Sequence, residues 1–188
     1  LSENAGYPNG DWWNVLVRDP KNPSKPYIQP SGKFPGYFVS MTTLEDISKA
    51  KTDPSRYVDA TKIPYLVFPG AFNAMKGTGT IGDLGFAINL TSGERTAFVV
   101  ADIGPDEPLG EVSIRLAEKL GGKNVNPRNG AGIPKGKFLY VLFPHSRKQY
   151  KWRLSLDEID KAAENLLNSV GGTGAIQSCV NVPLHSVN

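Results

Sequence analysis

Five short runs rich in β-branched and aromatic residues punctuate the chain, at 37–40, 65–68, 84–90, 96–101 and 138–143, with Gly or Pro close to their ends. Runs of this length and make-up read as strands. Residues 57–59 add a further short candidate. Helical periodicity is confined to two places. Residues 111–120 set Val112, Leu116, Ala117 and Leu120 on one broad face and stop at Gly121-Gly122. Residues 155–170 open with a capping-box pattern, Ser155 with Glu158, turn Ile159, Ala162, Ala163, Leu166 and Val170 inward, and stop at Gly171-Gly172. Strands and helices do not alternate, which argues against a doubly wound sheet. Twenty glycines and 15 prolines in 188 residues supply the turns that many short strands need, and a small closed barrel is the natural way to pair them.

Residues 1–36 carry Pro8, Pro20, Pro23, Pro26, Pro30 and Pro35 among Asn and Gly. They read as an irregular N-terminal arm packed on the body, with Trp12 and Trp13 as anchors, and residues 37–188 as a single catalytic β-barrel domain with a C-terminal helix and tail. The alternative for the two tryptophans is a sugar-stacking platform.

Several chemistries are excluded early. Cys179 is the one cysteine, so an internal disulfide and a Cys-rich metal site are ruled out. His145 and His185 lack a third ligand at zinc-site spacing. The longest apolar run, 138–143, is far too short to cross a bilayer. No secretory hydrophobic segment opens the sequence. The basic stretch 145–153, HSRKQYKWR, places Lys148, Tyr150, Trp152 and Leu154 on one side if extended. It reads as a solvated edge over a packed face rather than a nucleic-acid surface. Residues 77–85 hold several glycines without a phosphate-loop Lys-Ser/Thr and read as turns.

The informative stretch is 96–121, TAFVVADIGPDEPLGEVSIRLAEKLG. A buried-type strand delivers Asp102 at its end, Gly104-Pro105 breaks it, a polar loop follows, and Glu111 stands in the first turn of the helix. Glycosidic hydrolysis needs such a pair: one carboxyl protonated to assist the leaving oxygen, one ionised to activate water or attack carbon. The simpler readings are that Asp102 caps a turn and that Glu111 answers the helix dipole. That dipole would favour the anion, against the needs of a general acid.

Motifs in order then point further. Tyr37-Phe38-Val39-Ser40 runs into Thr42-Thr43-Leu44. Tyr57-Val58-Asp59-Ala60 precedes Ile63-Pro64-Tyr65 and Val67-Phe68-Pro69. Gly82-Asp83-Leu84 precedes Asp102-Ile103-Gly104-Pro105, Gly110-Glu111, Ser113-Ile114, Leu116-Ala117 and Leu120-Gly121, and Phe143-Pro144 and Ser146 close the series. Over roughly 37–146 this resembles the chitosanases of glycoside hydrolase family 75. The resemblance implies a mainly β fold, a six-stranded double-psi β-barrel with a few peripheral helices. It implies an endo-acting chitosanase that hydrolyses β-1,4 bonds of chitosan with inversion. The essential carboxylates would fall on Asp102 and Glu111, with Glu111 the expected acid and Asp102 the expected base, or the reverse. An inverting pair would stand about 6.5–9.5 Å apart. The arrangement is also similar to family 45 cellulases, lytic transglycosylases and expansins. The arm and the tail are not matched, and the loop Asp106-Glu107-Pro108 is more acidic than the family pattern.

Expected substrate-binding residues are Asp83, Asp59 and Tyr37; for the two acids the local reading is that each holds a turn. Tyr57 and Tyr65 are further stacking candidates. Residues 37–120 hold eight Lys/Arg against eleven Asp/Glu, and residues 121–188 hold nine against four. A cationic polymer therefore predicts an acidic groove around Asp83, Asp102 and Glu111, with basic residues turned elsewhere. The full expectation is a secreted, monomeric hydrolase acting on a polysaccharide without cofactor or metal, and without nucleic-acid or membrane partners. The rivals are a peptidoglycan-acting enzyme on the same barrel and a non-catalytic glycan-binding module.

Overall fold

A computed structural model describes residues 5–104 and 109–177. The expectations for Asp106, Glu107 and Pro108, for Cys179 and His185, and for most of the C-terminal tail fall outside the described residues. Four of the five strand-like runs form strands: β1 (Tyr65–Pro69), β2 (Leu84–Asn89), β3 (Arg95–Gly104) and β4 (Phe138–Phe143). They make one sheet in the order β1-β3-β2-β4, with β1 parallel to β3 and the other pairs antiparallel. The helices are α1 (Gly70–Ala74), α2 (Ile114–Lys119), α3 (Leu156–Ser169) and α4 (Gly172–Gln177).

Every residue of β1 and β2 is buried, so helices and loops cover both sheet faces. On one face Tyr65, Val67, Leu84, Phe86, Ile88, Val99 and Ala101 pack with Ile159, Ala162, Ala163 and Leu167 of α3. On the other, Leu66, Phe68, Ala87, Phe98 and Val100 pack with Leu116 of α2 and with Leu120 at its end. The β2–β3 turn is tied by Asn89, which is buried. Its Oδ1 accepts from the Thr91 and Ser92 amides, and its Nδ2 donates to the Leu120 and Lys135 carbonyls.

The α3 capping box forms as expected, with the Ser155 side chain accepting from the Glu158 amide and Glu158 reaching back. Its inward face differs at the end. Val170, the C-cap, is 56% exposed and Leu167 takes the buried place, because the helix finishes at Ser169 before another turn can carry Val170 round.

Helix α2 is shorter than the periodicity of 111–120 suggests. Ser113 is its N-cap, its Oγ accepting from the Leu116 amide, and residues 111–113 lie extended against β1. A short polar side chain reaching back to an open amide outcompetes a helical start at Glu111, and pairing with β1 provides the preceding residues with partners. Glu111 therefore stands outside the helix. The same Oγ accepts from the Tyr65 amide at 2.9 Å and donates to the Ile63 carbonyl at 2.9 Å. Ser113→Ala should cost about 1–3 kcal/mol by stranding these groups and removing the cap, measured as a lower chemical-denaturation midpoint.

The run at 37–40 joins no strand of the sheet. It pairs with the arm through the bridges Leu16 to Ser40 and Ile28 to Phe38, and the Val17 amide donates to the Val39 carbonyl at 2.9 Å. The expected boundary at residue 36 therefore cuts through one bridged unit. Trp12 anchors that unit at 5% exposure, edge-on to Tyr7, whereas Trp13 is 41% exposed. The stretch 145–153 is likewise not extended: Ser146–Lys148 form a 3₁₀ turn, and Tyr150 and Trp152 then pack on the α3-side core.

Candidate active site

The ends of β1 and β3 open into a groove of about 1540 Å³, walled on one side by the arm. A bulge in β3 sets its chemistry. Leu66 pairs with Val100, but Val67 pairs with Asp102, so Ala101 is an extra residue in the ladder. Without the bulge, strict alternation would put Asp102 with Val100, on the α2 side. With it, Asp102 lies opposite Val67, on the face that carries Tyr65 and Val67.

The bulge also fixes the next strand of chain. The Ala101 carbonyl accepts from the Leu44 amide at 2.8 Å, which brings Thr43 beside Asp102. Thr43 donates twice to Asp102 Oδ1, from its amide at 3.0 Å and its hydroxyl at 2.7 Å. Oδ2 has no protein partner among the described residues. Thr43 stands within a quoted motif, yet nothing local assigns it this role, since 59 residues separate the two partners.

Glu111 arrives from the other side of β1. Its carbonyl accepts from the Val67 amide at 2.9 Å, and Val112 bridges Leu66 and packs with it on the α2 side. Alternation then turns Glu111 to the face of Asp102. Gly104 provides the room: a Cβ there would lie 3.1 Å from Val67 Cγ1 and 3.7 Å from Glu111 Oε2. The Glu111 carboxylate thus sits over Gly104, two residues beyond Asp102, a step of about 6.6 Å along a strand. Thr43→Val removes the hydroxyl donor and leaves Asp102 held by the Thr43 amide alone.

The remaining candidates divide. Asp59 lines the groove, but its Oδ1 closes its own turn on Thr61, from the amide at 2.9 Å and the hydroxyl at 2.7 Å, and its Oδ2 pairs with Lys62 at 3.2 Å. Burial works to raise its pKa, but the Thr61 bonds and Lys62 outweigh it and hold the carboxyl below its ordinary value. Tyr37 lines the arm wall, but the Arg128 guanidinium lies 3.8 Å over its ring and Phe34 packs against it. The expected stacking platform is therefore already covered by a cation. Tyr57 is buried, its hydroxyl donating to the Lys51 carbonyl at 2.9 Å.

Asp83 does not line the groove. It is wholly buried; its Oδ2 accepts from the Thr80 amide at 3.0 Å, its Oδ1 from the Arg147 amide at 3.1 Å, and Arg147 Nη1 stands 3.7 Å away. The groove is not acidic either. Lys33, Lys62, Arg128 and Arg153 line it beside Asp59 and Glu111. Segment charge misleads here because acids of the middle segment, such as Glu45 on Arg56 and Asp53 on Ser55, are engaged locally. Among the described residues no group of His, Cys, Asp and Glu is arranged to hold a metal ion, and no helix is long and apolar enough to cross a membrane. No protein-family model matches the chain, and no curated protein matches it.

Proposed function

We propose that the chain is an inverting glycoside hydrolase that cleaves β-1,4 bonds within chitosan, using Asp102 and Glu111 as its carboxyl pair. One observation carries this reading: the β3 bulge and the extended segment 111–113 bring both carboxylates to the same face of β1, on opposite sides of Val67, with Glu111 and Val67 lining a long groove. Thr43 fixes Asp102 through one oxygen and leaves Oδ2 without a protein partner among the described residues, which suits Asp102 to hold the attacking water as the base. Glu111, without a hydrogen-bond partner among the described residues, is the acid. Water adds to the anomeric carbon as its proton passes to Asp102, and the proton of Glu111 passes to the departing glycosidic oxygen. In the same reading, segments 42–45 and 111–113, which bond to β3 and β1, extend the four-stranded sheet toward a six-stranded double-psi barrel. A polymer substrate fits a secreted, monomeric enzyme.

A second reading, a hydrolase or lyase of peptidoglycan-type glycans, draws support from the basic residues along the groove, which suit an acidic polymer better than a cationic one. Incubation with chitosan, chitin and peptidoglycan, following new reducing ends and the anomer first formed by NMR, tests both. The α-anomer released from chitosan is the expected result. No cleavage of chitosan by folded protein overturns the first reading.

A further inference from the structure

Tyr65 opens β1 at the floor of the groove and has a polar atom that the protein does not use. Its backbone is fully engaged, its amide donating to Ser113 Oγ and its carbonyl accepting from the Ser113 amide. Its ring belongs to the α3-side core beside Val67 and Ala101. Its hydroxyl has no hydrogen-bond partner among the described residues. The buried side-chain polar atoms left without a partner are Arg115 Nε and Arg147 Nη1, so the Tyr65 oxygen is not sealed in the core and meets the groove.

Alternation places this hydroxyl on the face of Asp102 and Glu111, one pleat before Val67, the residue those carboxylates flank. Three acids from three elements act on it by their charge: Asp102 from β3, Glu111 from segment 111–113 and Asp59 from the turn before β1. Burial first, and then these charges, push the phenol far above its ordinary pKa. A phenol in such company stays protonated and cannot serve as a base or nucleophile. It is a fixed hydrogen-bond donor.

We infer that Tyr65 is a third functional group of the site, its hydroxyl donating to the sugar unit that lies across Asp102 and Glu111 at the point of cleavage. The inference rests on the carboxylate-pair reading. A rigid donor, anchored through the backbone of the strand that the carboxylates flank, keeps the sugar in register with both. Losing that register misplaces the reacting bond against both carboxyl groups, so the effect falls on turnover.

Tyr65→Phe removes one oxygen that no protein group needs, so the fold should be unaffected. With chitosan hexamer as substrate, kcat should fall about 10- to 100-fold, with KM within about twofold and Tm within a degree or so of the parent. A kcat equal to that of the parent, or a lower Tm with turnover per folded molecule unchanged, overturns the role of Tyr65. Absence of turnover by the parent protein itself on chitosan, chitin and peptidoglycan strikes instead at the carboxylate pair, so the two failures are distinct.

Discussion

Glu111→Gln should lower the release of reducing ends from chitosan by about 10²–10⁴-fold, the range that a positioned general acid contributes. The amide has nearly the shape of the carboxyl but delivers no proton of comparable acidity to the leaving oxygen. Glu111 is exposed and its side chain has no hydrogen-bond partner to lose, so stability should stay within about 0.5 kcal/mol and the loss is one of chemistry. Asp102→Asn decides between the two enzymatic readings. If water is activated by Asp102, this variant falls by a similar factor, because Thr43 still orients the side chain but the amide cannot take a proton. If a single acid suffices, as in the peptidoglycan reading, Asp102→Asn keeps much of its activity while Glu111→Gln does not. A protein that binds polymer and releases no new ends in any form is the glycan-binding module. Reducing-end assays on the two variants, with thermal melts as the fold control, separate these outcomes.

Local pattern carried most of the architecture. β-Branched and aromatic runs between glycines and prolines marked four strands to within a few residues, and Ser155 with Glu158 marked the start of α3. What local pattern could not carry is long-range register. Asp102 comes to the face of Tyr65 and Val67 through one extra residue, Ala101, and an unbroken alternation of the same residues would turn it to the α2 side. Glu111 is placed by pairing of Val112 with Leu66, a contact between segments 46 residues apart, and this pairing overrides a helical period that runs smoothly through 111–120. Thr43 carries no local sign of a site role and Tyr65 reads only as a stacking candidate for the same reason, since their roles exist only once β1, β3 and segment 42–45 are side by side. Charge was the least legible property. A count over a segment cannot say which acids face the groove and which close a turn or meet an arginine, and the groove is lined by more cations than acids.

Asp83 shows how far that difference reaches, and it gives the second large effect. Asp83→Ala should destabilise the protein by about 3–5 kcal/mol, the cost of leaving two amides without their acceptor beside a wholly buried site. The carboxylate holds three groups at once: the Thr80 amide that shapes the turn into β2, the Arg147 amide in the turn after β4, and the Arg147 guanidinium. These turns lie at the adjoining ends of β2 and β4, where Leu84 pairs with Phe143 and the Leu84 amide donates to Ser146 Oγ at 2.8 Å. Alanine leaves both amides without acceptors and the buried Nη1 of Arg147 without a counter-charge. At about 2–4 °C per kcal/mol for a chain of this size, Tm should drop by about 6–20 °C. Asp83→Asn keeps one acceptor oxygen and gives up the charge, so its loss should be smaller, about 1–3 kcal/mol. Below both melting temperatures, KM for chitosan should equal that of the parent, because Asp83 is wholly buried and does not line the groove. A raised KM with an unchanged Tm would return Asp83 to the groove and contradict its burial.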